Sequence, residues 1–310
     1  MRPFPVQRLL STYALAIMAL AWPALAGAGE VAIVMSEDAA VYRTVAETIQ
    51  SRLEGTAAVD IVTIPALRNP KQKDLRFLVA IGSQAANAAV ASHIAVPLLV
   101  TLLPRSAFDR LAAERRRAAD PQPLSALYLD QPIGRQFDLI RLAMPNARRI
   151  GVLLGAESDH RYPALQKAAQ EKQMHLAVQR VSGDSEIAPA LQKLLPEIDV
   201  LLALPDPSVF NASTIQPILL ATYRQQLPLF GFSAAYVRAG AIASLHSTPV
   251  QIGNQAADML RTALAKGQLP PPRYSGQYTL ATNPHVAHSL GIPLEGEAAL
   301  MQRLQQLEER

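Results

Sequence analysis

Short apolar, β-branched runs alternate along this chain with longer stretches in which apolar residues recur every third or fourth position. The first period fits buried strands and the second fits helices with one buried stripe, so the alternation predicts βαβ units and parallel sheets. Residues 31–35 read as a strand. Val41, Val45, Ile49 and Leu53 then fall on one helix face, with Ser36 placed to cap it. Strands over 59–64, 77–81 and 96–101, with a helix over 84–91, complete a first doubly wound lobe.

A second series opens at residues 124–129. A helix over 133–143 stops before Pro145, and strands at 149–154, 175–181, 198–204, 228–232 and 241–245 alternate with helices near 163–172, 187–195 and 214–225. Strands this apolar imply burial on both faces. A helix over 250–266 and a strand near 274–280 flank the stiff run Leu269-Pro270-Pro271-Pro272. They are too few to bury a core of their own, so they are expected to complete the lobes already begun. The expected division is 29–123 plus 247–281 for lobe 1 and 124–246 plus 282–297 for lobe 2, with 298–310 a charged, frayed C-terminal helix. The fold class is α/β: two doubly wound parallel-sheet lobes joined by a multi-strand hinge.

The first 26 residues break this pattern. Arg2 and Arg8 precede an uncharged apolar run over 13–22, and Ala24-Leu25-Ala26 places small residues where a signal peptidase reads. The run is far shorter than the roughly 20 residues that span a bilayer, so it predicts a cleavable export signal and a periplasmic protein. The chain contains no cysteine, hence no disulfide and no thiol for a lipid anchor. Half of the 310 residues are apolar and 17% are charged, enough for sizeable cores. A net charge of +4, two units of it from Arg2 and Arg8, gives no warrant for nucleic-acid binding. The cluster Arg115-Arg116-Arg117 reads as a solvated helix face.

Four stretches carry a resemblance. They are 80–86 (AIGSQAA), 144–153 (MPNARRIGVL), 251–260 (QIGNQAADML) and 282–293 (TNPHVAHSLGIP). With them the chain resembles the type I periplasmic binding proteins, and more narrowly the ABC-transporter substrate-binding family whose better-known members take up aromatic amino acids. The resemblance implies two lobes crossed three times by the chain, a small organic ligand (an amino acid, or an apolar or aromatic molecule) held between them, and an inner-membrane ABC permease as partner. Two departures from the family pattern weigh against an aromatic amino acid as the ligand: the apolar segment 100–104, where relatives often place an Asp, and the two prolines in 205–211. The apolar character points to a weakly polar ligand.

Open α/β sheets bind ligands beyond the carboxyl ends of their strands. On the first lobe that rule nominates Ser36, Glu37, Ser83, Gln84 and Thr101. On the second it nominates Asp130, Gln131, Glu157, Ser158, Asp206, Phe210, Ser233 and Tyr236. Ser83 and Gln84 open a helix whose free amides suit a carboxylate. Asp206 suits an ammonium group, and Phe210 and Tyr236 suit a flat ligand. Capping and core packing are the competing uses of these side chains.

No enzyme activity is expected. Gly231-Phe232-Ser233-Ala234-Ala235 lacks the last glycine of a nucleophile elbow. His285 and His288 have no third ligand at metal-site spacing and read as solvated. Nothing calls for a cofactor. The rival expectation is a periplasmic sensor or scaffold that uses this fold to dock a protein partner.

Overall fold

The computed structural model describes residues 30–68, 74–119 and 122–308. The export signal expected over residues 1–26 lies outside them.

Along the chain come β1 (Val31–Met35), α1 (Ala40–Leu53), β2 (Val59–Val62), β3 (Phe77–Ile81), α2 (Ser83–Ala91), β4 (Leu98–Leu103), α3 (Arg105–Arg117) and β5 (Leu124–Tyr128). Then follow α4 (Ile133–Ala143), β6 (Arg149–Leu154), α5 (Tyr162–Glu171), β7 (His175–Arg180), α6 (Asp184–Leu194), β8 (Val200–Leu202), α7 (Ile215–Arg224), β9 (Leu229–Gly231), α8 (Ala234–Ala239) and β10 (Ala243–His246). The last part holds α9 (Pro249–Lys266), β11 (Arg273–Tyr274), β12 (Thr279–Thr282), α10 (Pro284–Ser289) and α11 (Glu297–Glu308).

These strands form two six-stranded sheets, in the orders β11-β5-β4-β3-β1-β2 and β12-β10-β9-β8-β6-β7. All neighbours pair in parallel except β10 and β12. Each sheet is packed on both faces, as its apolar strands require. In the first, Val31 and Ile33 face α1 and α9, while Ala32 and Val34 face α2 and α3. In the second, Val152 and Leu154 pack with α4 and α5, and Leu153 and Leu201 with α6 and α7.

Several elements sit elsewhere than the local pattern suggested. The strand 124–128, read as the start of the second lobe, instead pairs in parallel with β4 and belongs to the first sheet. The segment 274–280 is not one strand: β11 joins the first sheet and β12 pairs antiparallel with β10 in the second. The C-terminal helix is not frayed, because Leu300 and Leu304 are fully buried in the second core. Of the three consecutive arginines, Arg115 turns inward and donates to the Gln122 carbonyl at 2.6 Å; Arg116 and Arg117 are solvated. Finally, Ser36 does not cap α1, whose start at Ala39 has no side-chain cap.

The chain passes between the sheets three times: after β5, after β10, and between β11 and β12. One polar network joins all three crossings. Gln131 of the first donates to Ser247 of the second at 3.0 Å, and Ser247 donates to the Gln277 carbonyl of the third at 2.8 Å. Gln255 of α9 donates to Ser275 Oγ at 2.6 Å and accepts from the Gly276 amide at 2.8 Å. A capping box between Thr248 and Gln251 fixes where α9 begins, immediately after the second crossing.

Candidate functional site

Two ion pairs show how the lobes face each other. Arg110, on the helix that leaves the carboxyl end of β4, pairs with Glu157, which follows β6. Arg161 Nη1 lies 2.8 Å from Asp130 Oδ2, and Asp130 directly follows β5. Both pairs join regions beyond the carboxyl ends of strands in different sheets, so those ends meet across a common cleft. The pairs differ in depth. The Arg161 and Asp130 side chains are 7% and 2% exposed, whereas those of Arg110 and Glu157 are 48% and 35% exposed. The first is an interior pin and the second a rim contact.

On the first wall, the turn from β3 into α2 is the organising feature. Gly82 has φ +90°, and a Cβ there would lie 2.6 Å from both Ser36 Oγ and the Tyr42 ring. Only glycine allows that approach. Ser36 donates to the Ile81 carbonyl at 3.1 Å and accepts the Ala85 amide at 3.0 Å, so it caps α2 across space. Ser83 and Gln84, the exposed first residues of α2, keep the unpaired amides of a helix start. Glu37 is exposed beside Tyr42, whose phenol is shifted up, chiefly by burial and then by that carboxylate. Thr101 is fully buried, and its hydroxyl has no hydrogen-bond partner among the described residues. The next residue, Leu102, takes φ +52° where the register of β4 slips against β5. A bulge of this kind re-aims side chains at a strand end.

The second wall is built around a buried carboxylate. Asp206 is 1% exposed. Its Oδ2 accepts from the Gly155 amide (3.2 Å), the Ser158 amide (2.9 Å) and Ser158 Oγ (2.6 Å). Its Oδ1 accepts from the Ser208 amide and Oγ, at 2.9 and 2.6 Å. These donors satisfy the charge, leaving Asp206 unavailable for the ammonium group expected of it. Ser158 is spent on the same cluster. Gly155 is obligatory beneath it, since a Cβ there would meet Ser208 Oγ at 2.1 Å.

Beside this cluster stand three rings. Phe232 and Tyr236 have centroids 4.3 Å apart, and Phe210 lies 6.2 Å from each. Tyr236 also donates to the Phe210 carbonyl at 3.3 Å. Phe210 is buried, while Phe232, Ser233 and Tyr236 are half-buried at the start of α8. Burial pushes the Tyr236 phenol up to about 12.

The nominated residues therefore separate by use. Asp130 accepts the Arg105 amide on Oδ1 at 2.8 Å, and its Oδ2 faces Arg161 in the ion pair. Gln131 belongs to the hinge network, and Glu157 to the rim pair. Ser36, Ser158 and Asp206 hold the backbone of the walls. Glu37, Ser83, Gln84, Ser233 and Tyr236 keep exposed or half-exposed groups. Sequence reasoning missed Tyr42, Arg110, Arg161 and Phe232. Of these, Tyr42 left a signal as an aromatic three residues before Val45 on the buried face of α1, and Phe232 left one as the last residue of the strand read at 228–232, directly before Ser233. A groove of about 450 Å³ between α6 and α7, lined by Ile187, Leu191 and Pro217, stands apart from this ring cluster.

Among the described residues no group of three or more His, Cys, Asp or Glu side chains is placed to hold a metal ion. No described helix is long and apolar enough to cross a membrane.

Known proteins share this architecture. A conserved domain protein from Vibrio cholerae superposes with a TM-score of 0.61 at 24% identity, over 88% of this chain and 97% of that one. The ABC domain from Streptococcus pneumonia solved in complex with L-Trp gives 0.60 at 17%, covering 88% and 98%. The ligand-free, open form of CD0873, a substrate-binding protein with adhesive properties from Clostridium difficile, gives 0.67 at 16%, covering 86% and 96%. A search among curated proteins finds no match. The family model for ABC transporter substrate-binding proteins matches residues 54–302, most of the chain and all of the second sheet. This chain belongs to the ABC transporter substrate-binding protein family, whose members bind solutes and are not enzymes.

Proposed function

We propose that this protein works in the periplasm, traps a small organic molecule between its lobes and presents the closed form to an ABC permease. Family membership supports the solute and the permease. The uncharged apolar run near the N-terminus supports the compartment. Closure needs a ligand that touches both walls, since only such a ligand binds the closed form better than the open one.

The observation that carries the reading is the contrast between spent and free groups on those walls. Asp130, Glu157 and Asp206 are committed to Arg161, Arg110 and a set of amides and hydroxyls. What stays free is the α2 start on one wall and the Phe232–Tyr236 ring face on the other. That set suits an aromatic or apolar molecule carrying one anionic or hydrogen-bond-accepting group. The lobe boundaries follow the crossings: residues 30–68, 74–119, 122–128 and 249–274 form one lobe, and 133–246 with 279–308 the other.

A thermal-shift screen tests this, because a ligand that binds only the folded state raises Tm by mass action. L-Tryptophan, simple aryl carboxylates, aliphatic amino acids and a neutral monosaccharide form the panel. Aromatic compounds are expected to raise Tm in a dose-dependent way. A response to the sugar alone, or none across the panel, overturns the proposed ligand class.

A further inference from the structure

The C-terminal helix does more than complete the second core. Its last described residue, Glu308, pairs through Oε1 with Arg135 Nε of α4 and accepts Tyr278 Oη on Oε2 at 2.8 Å. The Arg135 guanidinium lies 4.0 Å from the centre of the Tyr278 ring. Arg135 also donates to Gln131 Oε1 in the first crossing and to the Ser275 carbonyl, at 3.1 Å, in the third. One guanidinium thus touches the end of α11 and two of the three segments that join the lobes. It is well enclosed, its side chain 10% exposed against 32% for Glu308. An enclosed fork with several fixed acceptors loses little freedom and holds its partners in one register.

We infer that Arg135 is a positioning residue for lobe closure, and that Glu308 is the clasp by which the C-terminal helix holds it in place. The polar bonds among Gln131, Ser247 and Gln277 are neutral and allow the crossings to twist. The Arg135 fork fixes two of those crossings to the body of lobe 2, so the clasp selects the hinge setting in which the cleft pairs meet. Without Glu308 the guanidinium has lost the acceptor that aims it, and the crossings sample a wider range. The inference rests on the proposal that the lobes move relative to each other, but it needs no knowledge of the ligand.

The test is a distance measurement on the full chain without ligand. The chain has no cysteine of its own. Spin labels on Asn87→Cys in lobe 1 and Gln170→Cys in lobe 2, both exposed positions, therefore report lobe separation alone. Glu308→Gln is expected to broaden the distribution and raise the ratio of open to closed forms about fivefold, the scale of ordinary coupling between sites. A chain ending at Leu307 should do the same, with Leu300 and Leu304 still packed. Arg303→Gln, which breaks the pair between Arg303 of α11 and Glu295 just before that helix, should leave the distribution unchanged. Arg135→Lys, which keeps the charge but not the fork, should resemble Glu308→Gln. If Glu308→Gln and the shortened chain both superpose on the unmodified protein, or if Arg303→Gln broadens the distribution equally, the clasp is overturned. Failure of the ligand screen would leave this result untouched, so the two proposals fail separately.

Discussion

The two walls of the cleft are made by the same kind of strand-to-helix turn and end up chemically opposite. Lobe 1 leaves its amides free and encloses one hydroxyl, that of Thr101, without a partner. Lobe 2 spends the Ser158 and Ser208 hydroxyls and its one buried acid on itself, and offers aromatic rings instead. The difference teaches that a polar residue at a strand end is a ligand group only if its own lobe has not already claimed it. On the second wall, charge serves architecture and the apolar surface is what remains for a guest.

That contrast is open to attack, and the largest effect should come from Asp206. Asp206→Ala takes the acceptor from the Ser158 and Ser208 amides and from both their hydroxyls, while the Gly155 amide keeps Ser158 Oγ, at a cost of about 3–5 kcal/mol. Denaturant unfolding should show that loss. Full stability together with lost ligand binding would return Asp206 to the list of ligand groups. Gly82→Ala is next. It forces a Cβ toward Ser36 and Tyr42 at a positive φ, and should lower stability by about 1–3 kcal/mol.

Phe232→Ala should weaken any aromatic ligand found in the screen by about fivefold, since aromatic stacking is worth roughly 1 kcal/mol beyond burial. Calorimetry would measure it, and unchanged affinity would remove the ring face from the site. Tyr236 gives a pH signature. Its folded pKa, about 12, lies above the ordinary value of 10.0, so the neutral phenol is favoured by folding. Its contribution is complete below pH 10 and is lost as pH rises toward 12. Tyr128, also raised to about 12 by burial, acts in the same window. Tyr236→Phe should therefore flatten part, not all, of the alkaline fall in stability. The smallest effect belongs to the rim. Glu157→Gln should cost less than about 1 kcal/mol of stability, and salt should shrink that difference.

Much of the fold was legible because period and burial are local. The apolar strands, the stripe of α1 at Val45, Ile49 and Leu53, and the breaks at Pro145 and at 270–272 follow from neighbouring residues alone. Val41, read as part of that stripe, is instead exposed because it lies in the first turn off the packed face. Sheet membership was not local. Nothing in LSALY tells whether β5 closes the first sheet or opens the second; its long-range pairing with β4 decides. The split of 274–282 was hidden for the same reason. At the site, the strand-end rule found both walls, but the use of each side chain depended on partners far along the chain. Asp130 and Arg161, or Asp206 and Gly155, carry no local mark of their pairing. Arg110 and Arg161 carry no mark in the sequence, and their partners appear only when the lobes are brought together.

Neither lobe is a continuous piece of chain, and that has a consequence for how the protein is made. The first core waits for α9, which lies on α1 through contacts such as that between Arg52 and Asp258, 206 positions apart. The second waits for β12 and the final helix. Contacts this distant close slowly, because loop entropy must be overcome before they contribute. A nascent chain therefore carries both halves unfinished until α9, β12 and α11 have been made.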